Sequence, residues 1–224
     1  MKVSRFAILI ALVSLLTTAP AQAQAKRNKD MAMRHSDAAN MLKQDMRKLW
    51  TDHVVWTRDY IIAAVADQPD AQAASNRLMR NQEDIGNAVA KYYGAPAGQQ
   101  LTSLLKQHIS IAADLIKSAK AGDKAGQQAA DTKWQQNADE ISTFLSKANP
   151  TYWPKATVLD MMKKHLSTTT TEVVARLNKN WDDDVRAYDA VYDHILHMSD
   201  ALADGIVKQF PDKFGASASA TTAR

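Results

Sequence analysis

Three histidines fall at nearly equal intervals along the chain, and imidazole is a side chain that binds transition metals or exchanges protons near neutral pH. His53, His108 and His165 each follow a Leu or Met by one helical turn. An Asn-x-x-acid-Ile segment trails the first two histidines at a similar distance, as NQEDI at 81–85 and NADEI at 137–141. A period of about 55 residues is typical of stacked helical hairpins. The spacing therefore predicts that the three imidazoles converge inside one helical bundle.

Apolar neighbours surround these histidines, so burial is expected. Burial disfavours the imidazolium and leaves a neutral ring whose nitrogens can bind a metal ion. The alternative is that each imidazole only satisfies hydrogen bonds in the core. His165 differs, because Thr169, Glu172 and Arg176 continue from it as a polar ribbon that either faces solvent or lines a cavity.

The two repeated acids, Asp84 and Glu140, are predicted to bind metal themselves or to orient the imidazoles as hydrogen-bond acceptors. Their alternative role is an interhelical ion pair with an arginine; the candidate partners are Arg58, Arg77, Arg80 and Arg176.

The last helix carries further candidate ligands. His194 and Met198 are one turn apart, and a second line contains Asp189, Asp193, His197, Asp200 and Asp204. Histidine and carboxylate suit zinc, iron or manganese, whereas a His–Met pair suits reduced copper. The metal site predicted here comprises His53, His108, His165, Asp84, Glu140, His194 and Met198. For the aspartates, the alternative is an ordinary solvated helix face.

The first 25 residues are typical of a secretory signal peptide. Lys2 and Arg5 precede an apolar run at 6–16, and Ala-x-Ala cleavage patterns follow. The chain is therefore expected to be exported to the periplasm or the extracellular space. No later stretch approaches about 20 uninterrupted apolar residues, so no integral membrane segment is expected after cleavage.

Composition narrows the function classes. Loss of residues 1–25 leaves 26 basic residues against 24 acidic ones, which is close to neutral and gives little support to nucleic-acid binding. Cysteine is absent, so any metal site must use His, Asp, Glu, Asn or Met.

Apolar periodicity and turn residues predict an all-α antiparallel bundle of about six helices built from repeated hairpins. The expected helices begin near 37, end near 66, 93, 119 and 145 at Pro- or Gly-containing segments, and continue over 155–179 and 182–210. Residues 26–214 are predicted to form one domain. The charged segment 26–34 and the small polar tail 215–224 are expected to be disordered.

Several motifs resemble an uncharacterised family of bacterial helical proteins, and the resemblance covers nearly the whole mature chain. Its motifs are LWTDHVVWTR at 49–58, RLMRNQEDI at 77–85, LLKQH at 104–108, NADEI at 137–141 and QFPDKF at 209–214. His53, His108 and His165 match histidines of that pattern. Members carry inconsistent names, including acetylglutamate kinase and glycosyltransferase, yet this chain has no Gly-rich phosphate loop and no alternating βα pattern.

The favoured function is an exported bundle that binds a metal ion or small ligand through inward-facing histidines. The alternative is an extracytoplasmic structural or protein-interaction module without metal, whose partner the sequence does not identify. Catalysis is the least favoured class, because no nucleophile lies in a G-x-S-x-G context.

Overall fold

The computed structural model describes residues 19–214, and every regular element in that range is helical. The helices are α1 (Ala19–Val65), α2 (Ala71–Tyr93), α3 (Ala95–Lys120), α4 (Lys124–Ala148), α5 (Lys155–Leu177) and α6 (Trp181–Gln209), followed by a short 3₁₀ helix, Pro211–Phe214. The predicted all-α bundle of about six helices is confirmed. Residues 1–18 of the predicted signal peptide 1–25 and the predicted disordered tail 215–224 lie outside the described residues.

Turn residues end the helices where the sequence predicts. Gly94 has a φ of 87° between α2 and α3, a backbone angle that glycine adopts without steric cost, and Pro96 lies in the first turn of α3. Asp123 caps α4, and its carboxylate accepts a hydrogen bond of 3.0 Å from the Gly126 amide. Pro154 precedes α5 and fixes the start of that helix.

The start of α1 differs from the prediction. The helix begins at Ala19, whereas the apolar periodicity begins at residue 37, and the charged segment 26–34 is helical instead of disordered. Side-chain contacts one turn apart support it, since Gln24 donates to Asn28 and accepts from Arg27. Ala, Lys, Arg and Gln also favour helix without any buried face, so this segment needs no apolar stripe.

The helices form a closed ring. Each helix packs on the next one in the chain, and α6 packs back on α1. The short connections make consecutive helices antiparallel, so the odd-numbered helices α1, α3 and α5 run in the same direction. Contacts of α1 with both α3 and α5 bring the odd helices together at the centre. Residues at one height on α1, α3 and α5 can therefore meet on the axis.

One main apolar core fills the ring. Its largest fully buried side chains include Met46, Ile85, Ile141, Leu166 and Ile195, from five different helices. A smaller cluster of Ile61, Ile116 and Val173 lies further along the same three odd helices. The histidines lie between these two apolar layers.

Candidate functional site

The three evenly spaced histidines meet at the centre of the bundle. The ring centroids of His53 and His165 are 5.7 Å apart, and those of His108 and His165 are 6.0 Å apart. Their relative exposures are only 2%, 3% and 4% for His53, His108 and His165. The structure thus brings together the three predicted imidazoles, one from each odd-numbered helix.

Each histidine lies beside the same kind of interhelical hydrogen bond. Asn81 Nδ2 donates to the Leu49 carbonyl at 2.9 Å, and Asn137 Nδ2 donates to the Leu104 carbonyl at 3.1 Å. The pairs α1–α2, α3–α4 and α5–α6 form three hairpins, and in the third one His194 Nε2 donates to the Met161 carbonyl at 2.8 Å. All three carbonyls belong to the residue one turn before a histidine. The even-numbered helices are therefore docked on the odd ones in one register, with donor and acceptor 32, 33 and 33 residues apart.

Both ring nitrogens of His108 are occupied. Nδ1 lies 2.8 Å from Asn137 Oδ1, while Trp134 Nε1 donates to Nε2 at 3.1 Å. An indole N–H only donates, so Nε2 must accept and Nδ1 must carry the proton. His108 is consequently held neutral as one tautomer.

His53 is held by the equivalent position of the first hairpin. Gln82 Nε2 lies 3.3 Å from His53 Nδ1 and also donates to the Leu78 carbonyl at 2.8 Å. Because the amide nitrogen donates, Nδ1 of His53 accepts and the ring proton lies on Nε2. In this hairpin Asn81 bonds the helix carbonyl and Gln82 contacts the imidazole, whereas in the second hairpin Asn137 makes both contacts.

His165 is the exception. Among residues 19–214, its Nδ1 is buried without a hydrogen-bond partner, and so is the hydroxyl of Thr169 one turn further along α5. His194 occupies the position that an amide has in the other hairpins, with its ring 6.4 Å from that of His165, but it bonds the Met161 carbonyl. Two buried polar atoms on one helix face are thus left without partners, which is uncommon in folded proteins.

The electrostatics of the site follow from burial. Desolvation lowers the pKa of His53 to about 3 and that of His108 to about 4, and it lowers the pKa of His165 well below its ordinary value. Repulsion from His108 lowers the pKa of His53 further, and the other histidines lower that of His165. All three rings are therefore neutral at physiological pH.

The histidine layer separates two internal cavities. The smaller, of about 20 Å³, is lined mainly by residues that precede the histidines, including Met46, Trp50, Leu105 and Met162, together with Met198. The larger, of about 90 Å³, is lined mainly by residues that follow them, including Ile61, Ile109, Ile116, Thr169 and Val173. His53, His108 and His165 line both. The larger cavity has room for several water molecules or one small organic molecule.

The two predicted acids are not brought to the histidines. Asp84 and Glu140 are both exposed. Asp84 lies 3.9 Å from Arg77, and Glu140 accepts a hydrogen bond of 3.4 Å from Gln136 on its own helix. Each acid lies one turn beyond the buried Asn81 or Asn137 and therefore falls outside the buried face. An amide side chain, Gln82 for His53 and Asn137 for His108, contacts the imidazole in place of the predicted acid.

The remaining candidates divide between core and surface. Met198 is buried and lines the smaller cavity, and His194 is half-buried beside His165. His197 is exposed, and Asp200 accepts a bidentate hydrogen-bonded pair from Arg47 at 2.6 and 2.5 Å. Within residues 19–214, no three His, Asp or Glu side chains are grouped closely enough to hold a metal ion.

A buried charge cluster lies next to the larger cavity along α5. Arg58 donates to Glu172 at 2.7 Å and to Asp184 at 3.0 Å, and Arg176 donates to Asp184 at 3.2 Å. Burial raises the pKa of Glu172 to about 7, although Arg58 opposes the shift. The polar ribbon that begins at His165 thus runs inside the bundle, past Thr169 to these charges.

Sequence reasoning missed Gln82 and Trp134 as hydrogen-bond partners of the buried imidazoles. A signal for Gln82 existed in its separation of 29 residues from His53, which equals the separation of Asn137 from His108.

Of the helices in the described range, none is both long and apolar enough to cross a membrane. In comparisons with known proteins, no family model, no curated protein and no solved structure matches this chain.

Proposed function

We propose that this protein binds a small ligand in the cavity walled by His53, His108 and His165. The main support is that three neutral imidazoles from three helices line one internal cavity of about 90 Å³. Small-molecule sites are typically apolar cavities with a few convergent polar groups, and this cavity has that composition.

The proposal places this binding outside the cytoplasm. Residues 1–25 have the charge, apolar run and small residues of a secretory signal, which supports export to the periplasm or extracellular space. The three matched hydrogen bonds to Leu49, Leu104 and Met161 support an internal repeat of helical hairpins, each of which supplies one histidine.

A transition metal ion, whether zinc, iron, manganese or copper, is the second candidate occupant. The observation in its favour is the 5.7 Å between the His53 and His165 centroids, since two imidazoles on one zinc ion have ring centres about 5–6 Å apart. His108 would join them only by losing one of its two hydrogen bonds, the one to Asn137 at Nδ1 or the one from Trp134 at Nε2. A metal therefore requires local rearrangement, whereas a neutral ligand does not.

Nuclear magnetic resonance of the histidine side chains tests both occupants on the full chain. Xenon, as a neutral cavity probe, is expected to shift the ring signals of His53, His108 and His165 but not those of exposed His197. Titration with Co²⁺ is the matched metal probe. If the double variant His53→Ala/His108→Ala no longer takes up Co²⁺ but keeps its helical circular dichroism, the occupant is a metal ion bound by these histidines.

If neither probe perturbs the three buried histidines, the binding function is wrong. The chain is then a structural or protein-interaction module in which the imidazoles only satisfy core hydrogen bonds, as His108 already does with Asn137 and Trp134. That outcome predicts that the same double variant loses thermal stability without losing any ligand.

A further inference from the structure

The polar atoms that line the larger cavity are unequally satisfied, and this inequality restricts the occupant. His108 has both nitrogens bonded, and His53 accepts from Gln82 at Nδ1. By contrast, His165 Nδ1 and Thr169 Oγ1 have no hydrogen-bond partner in the part of the chain that the structure describes, although His165 is only 4% exposed and Thr169 only 5%. An unsatisfied buried polar atom carries a desolvation cost that a hydrogen bond to a ligand would remove.

Taking the proposed function as given, we infer that the ligand is a short-chain alcohol whose hydroxyl bonds both His165 Nδ1 and Thr169 Oγ1. The hydroxyl sits on α5, and the alkyl chain lies against Ile61, Ile109 and Ile116 on the other odd helices.

A hydroxyl fits this pair better than other small polar groups. Thr169 can donate or accept, and His165 Nδ1 does one or the other according to its tautomer. A hydroxyl donates and accepts at once, so it satisfies both atoms whichever tautomer is present. A carbonyl group only accepts, so it satisfies both atoms only if each of them donates.

Cavity size limits the alkyl chain. A dry cavity of about 150 Å³ holds benzene, so 90 Å³ scales to a molecule of about three or four non-hydrogen atoms. Ethanol and 2-propanol are of this size.

The absence of charge around the cavity disfavours a charged organic ligand. Its lining has no charged side chain, and the three imidazoles in it are neutral because burial lowers each pKa. An ammonium or carboxylate group would be desolvated there without a counter-charge. The apolar remainder of the wall likewise disfavours filling by water alone, since water molecules there would find few hydrogen-bond partners.

The α5 side offers an entry route. Thr170 and Val174 line the cavity and are exposed, so one end of the cavity reaches the surface at these residues. Its other end is buried at His165.

The test is a titration of the full chain with 2-propanol, in which binding is measured by nuclear magnetic resonance from the His165 ring signals. It is carried out on the wild type, Thr169→Val and Thr171→Val. Thr169→Val keeps the shape of the side chain and removes the hydroxyl. Thr171→Val is the matched control, because Thr171 is exposed and bonds only the Ser167 carbonyl of its own helix. Acetone, which has the same number of non-hydrogen atoms, is the matched ligand that cannot donate.

Saturable shifts with 2-propanol are expected in the wild type and in Thr171→Val, with binding about tenfold weaker in Thr169→Val. Acetone is expected to bind more weakly than 2-propanol in the wild type. Thr169→Val should fold at least as stably as the wild type, because it deletes an unsatisfied buried hydroxyl.

Xenon separates this inference from the function on which it rests, since xenon needs the cavity but no hydrogen bond. The alcohol assignment is wrong if xenon shifts the ring signals but 2-propanol does not bind, or if Thr169→Val binds 2-propanol as tightly as the wild type does. In either case the proposed binding function of the cavity is still supported. Absence of binding by either probe would overturn both.

Discussion

Asn137 makes two hydrogen bonds at the centre of the bundle, and they join three parts of the site. Its oxygen accepts from His108 Nδ1 at 2.8 Å, and its amide nitrogen donates to the Leu104 carbonyl at 3.1 Å. The first bond sets the tautomer of His108, which then accepts from Trp134, while the second sets the register of α4 against α3. One side chain therefore positions both a functional ring and a helix.

Replacing Asn137 by Ala is expected to cost about 1–3 kcal/mol of unfolding free energy, because the Nδ1–H of His108 is left buried without an acceptor. Urea denaturation measures the change. Asn87→Ala on the exposed face of α2 is the control, and it should stay within about 0.5 kcal/mol of the wild type. Equal stability of Asn137→Ala and the wild type would show that His108 is satisfied by another group.

The sequence predicted the meeting of the histidines but gave the supporting role to the wrong neighbours. Even spacing and matched apolar residues one turn before each histidine were sufficient to bring three rings to one height. Asp84 and Asn81 are one turn apart, so periodicity alone does not distinguish the fully buried position from the one at the edge of the solvent face. The free Nδ1 of His165 was not predictable either, because it depends on His194 bonding the Met161 carbonyl across two helices.

Helices α2 and α3 approach closely where two glycines face each other. A Cβ added at Gly86 would lie 1.9 Å from Thr102 Oγ1 and 2.6 Å from the Gly98 carbonyl oxygen. A Cβ at Gly98 would lie 2.5 Å from the Gly86 carbonyl oxygen. These glycines serve interhelical packing and not a turn.

Substitution of Gly86 by Ala is therefore expected to destabilise the protein, even though Ala gains up to about 1 kcal/mol over Gly in helix propensity. Moving a backbone carbonyl to make room costs about 1–3 kcal/mol, so the net effect should be a lower melting temperature. Gln99→Ala, at an exposed position beside Gly98, introduces alanine without a close interhelical contact and should leave the melting temperature nearly unchanged. A melting temperature raised in Gly86→Ala would contradict the packing argument.

At the scale of helices, the sequence predicted a helix end correctly where one residue fixes the local backbone, and incorrectly where no such residue is present. Gly94, Asp123 and Pro154 end or begin helices at the predicted places, because each acts on its own dihedral angles or on a neighbouring amide. The start of α1 was misplaced, since a helix of Ala, Gln, Lys and Arg without an apolar stripe leaves no periodic signal. Closure of the ring by α6 against α1 depends on residues far apart in sequence, such as Arg47 and Asp200, which no local pattern pairs.

At the scale of the whole molecule, the buried neutral histidines link folding to pH. In the unfolded chain each would titrate near 6.5, whereas in the folded protein the pKa is about 3 for His53, about 4 for His108 and lowered for His165. Between pH 6.5 and about 4 the unfolded state therefore binds up to three protons that the folded state does not. Stability is highest above pH 6.5 and decreases as the pH falls through this window.

Glu172 acts in the opposite direction, and its effect can be separated by substitution. Its folded pKa of about 7 lies above the ordinary value of 4.5, so between these values the folded state binds one proton more than the unfolded state. The three central histidines minus Glu172 give a net uptake of about two protons on unfolding, or about 3 kcal/mol lost per pH unit near pH 5.5. Burial also lowers the pKa of half-buried His194, so His194 adds to this loss.

Replacing Glu172 by Gln removes the opposing group, so the decrease in stability between pH 6 and pH 5 should steepen by about 1 kcal/mol per pH unit. Urea denaturation at several pH values measures the slope. His197→Gln is the matched control, because His197 is exposed and should leave the slope unchanged. If the stability of the wild type does not change with pH in this range, the central histidines are protonated in the folded protein. If Glu172→Gln has the same pH dependence as the wild type, Arg58 keeps the Glu172 carboxylate ionised through their 2.7 Å contact.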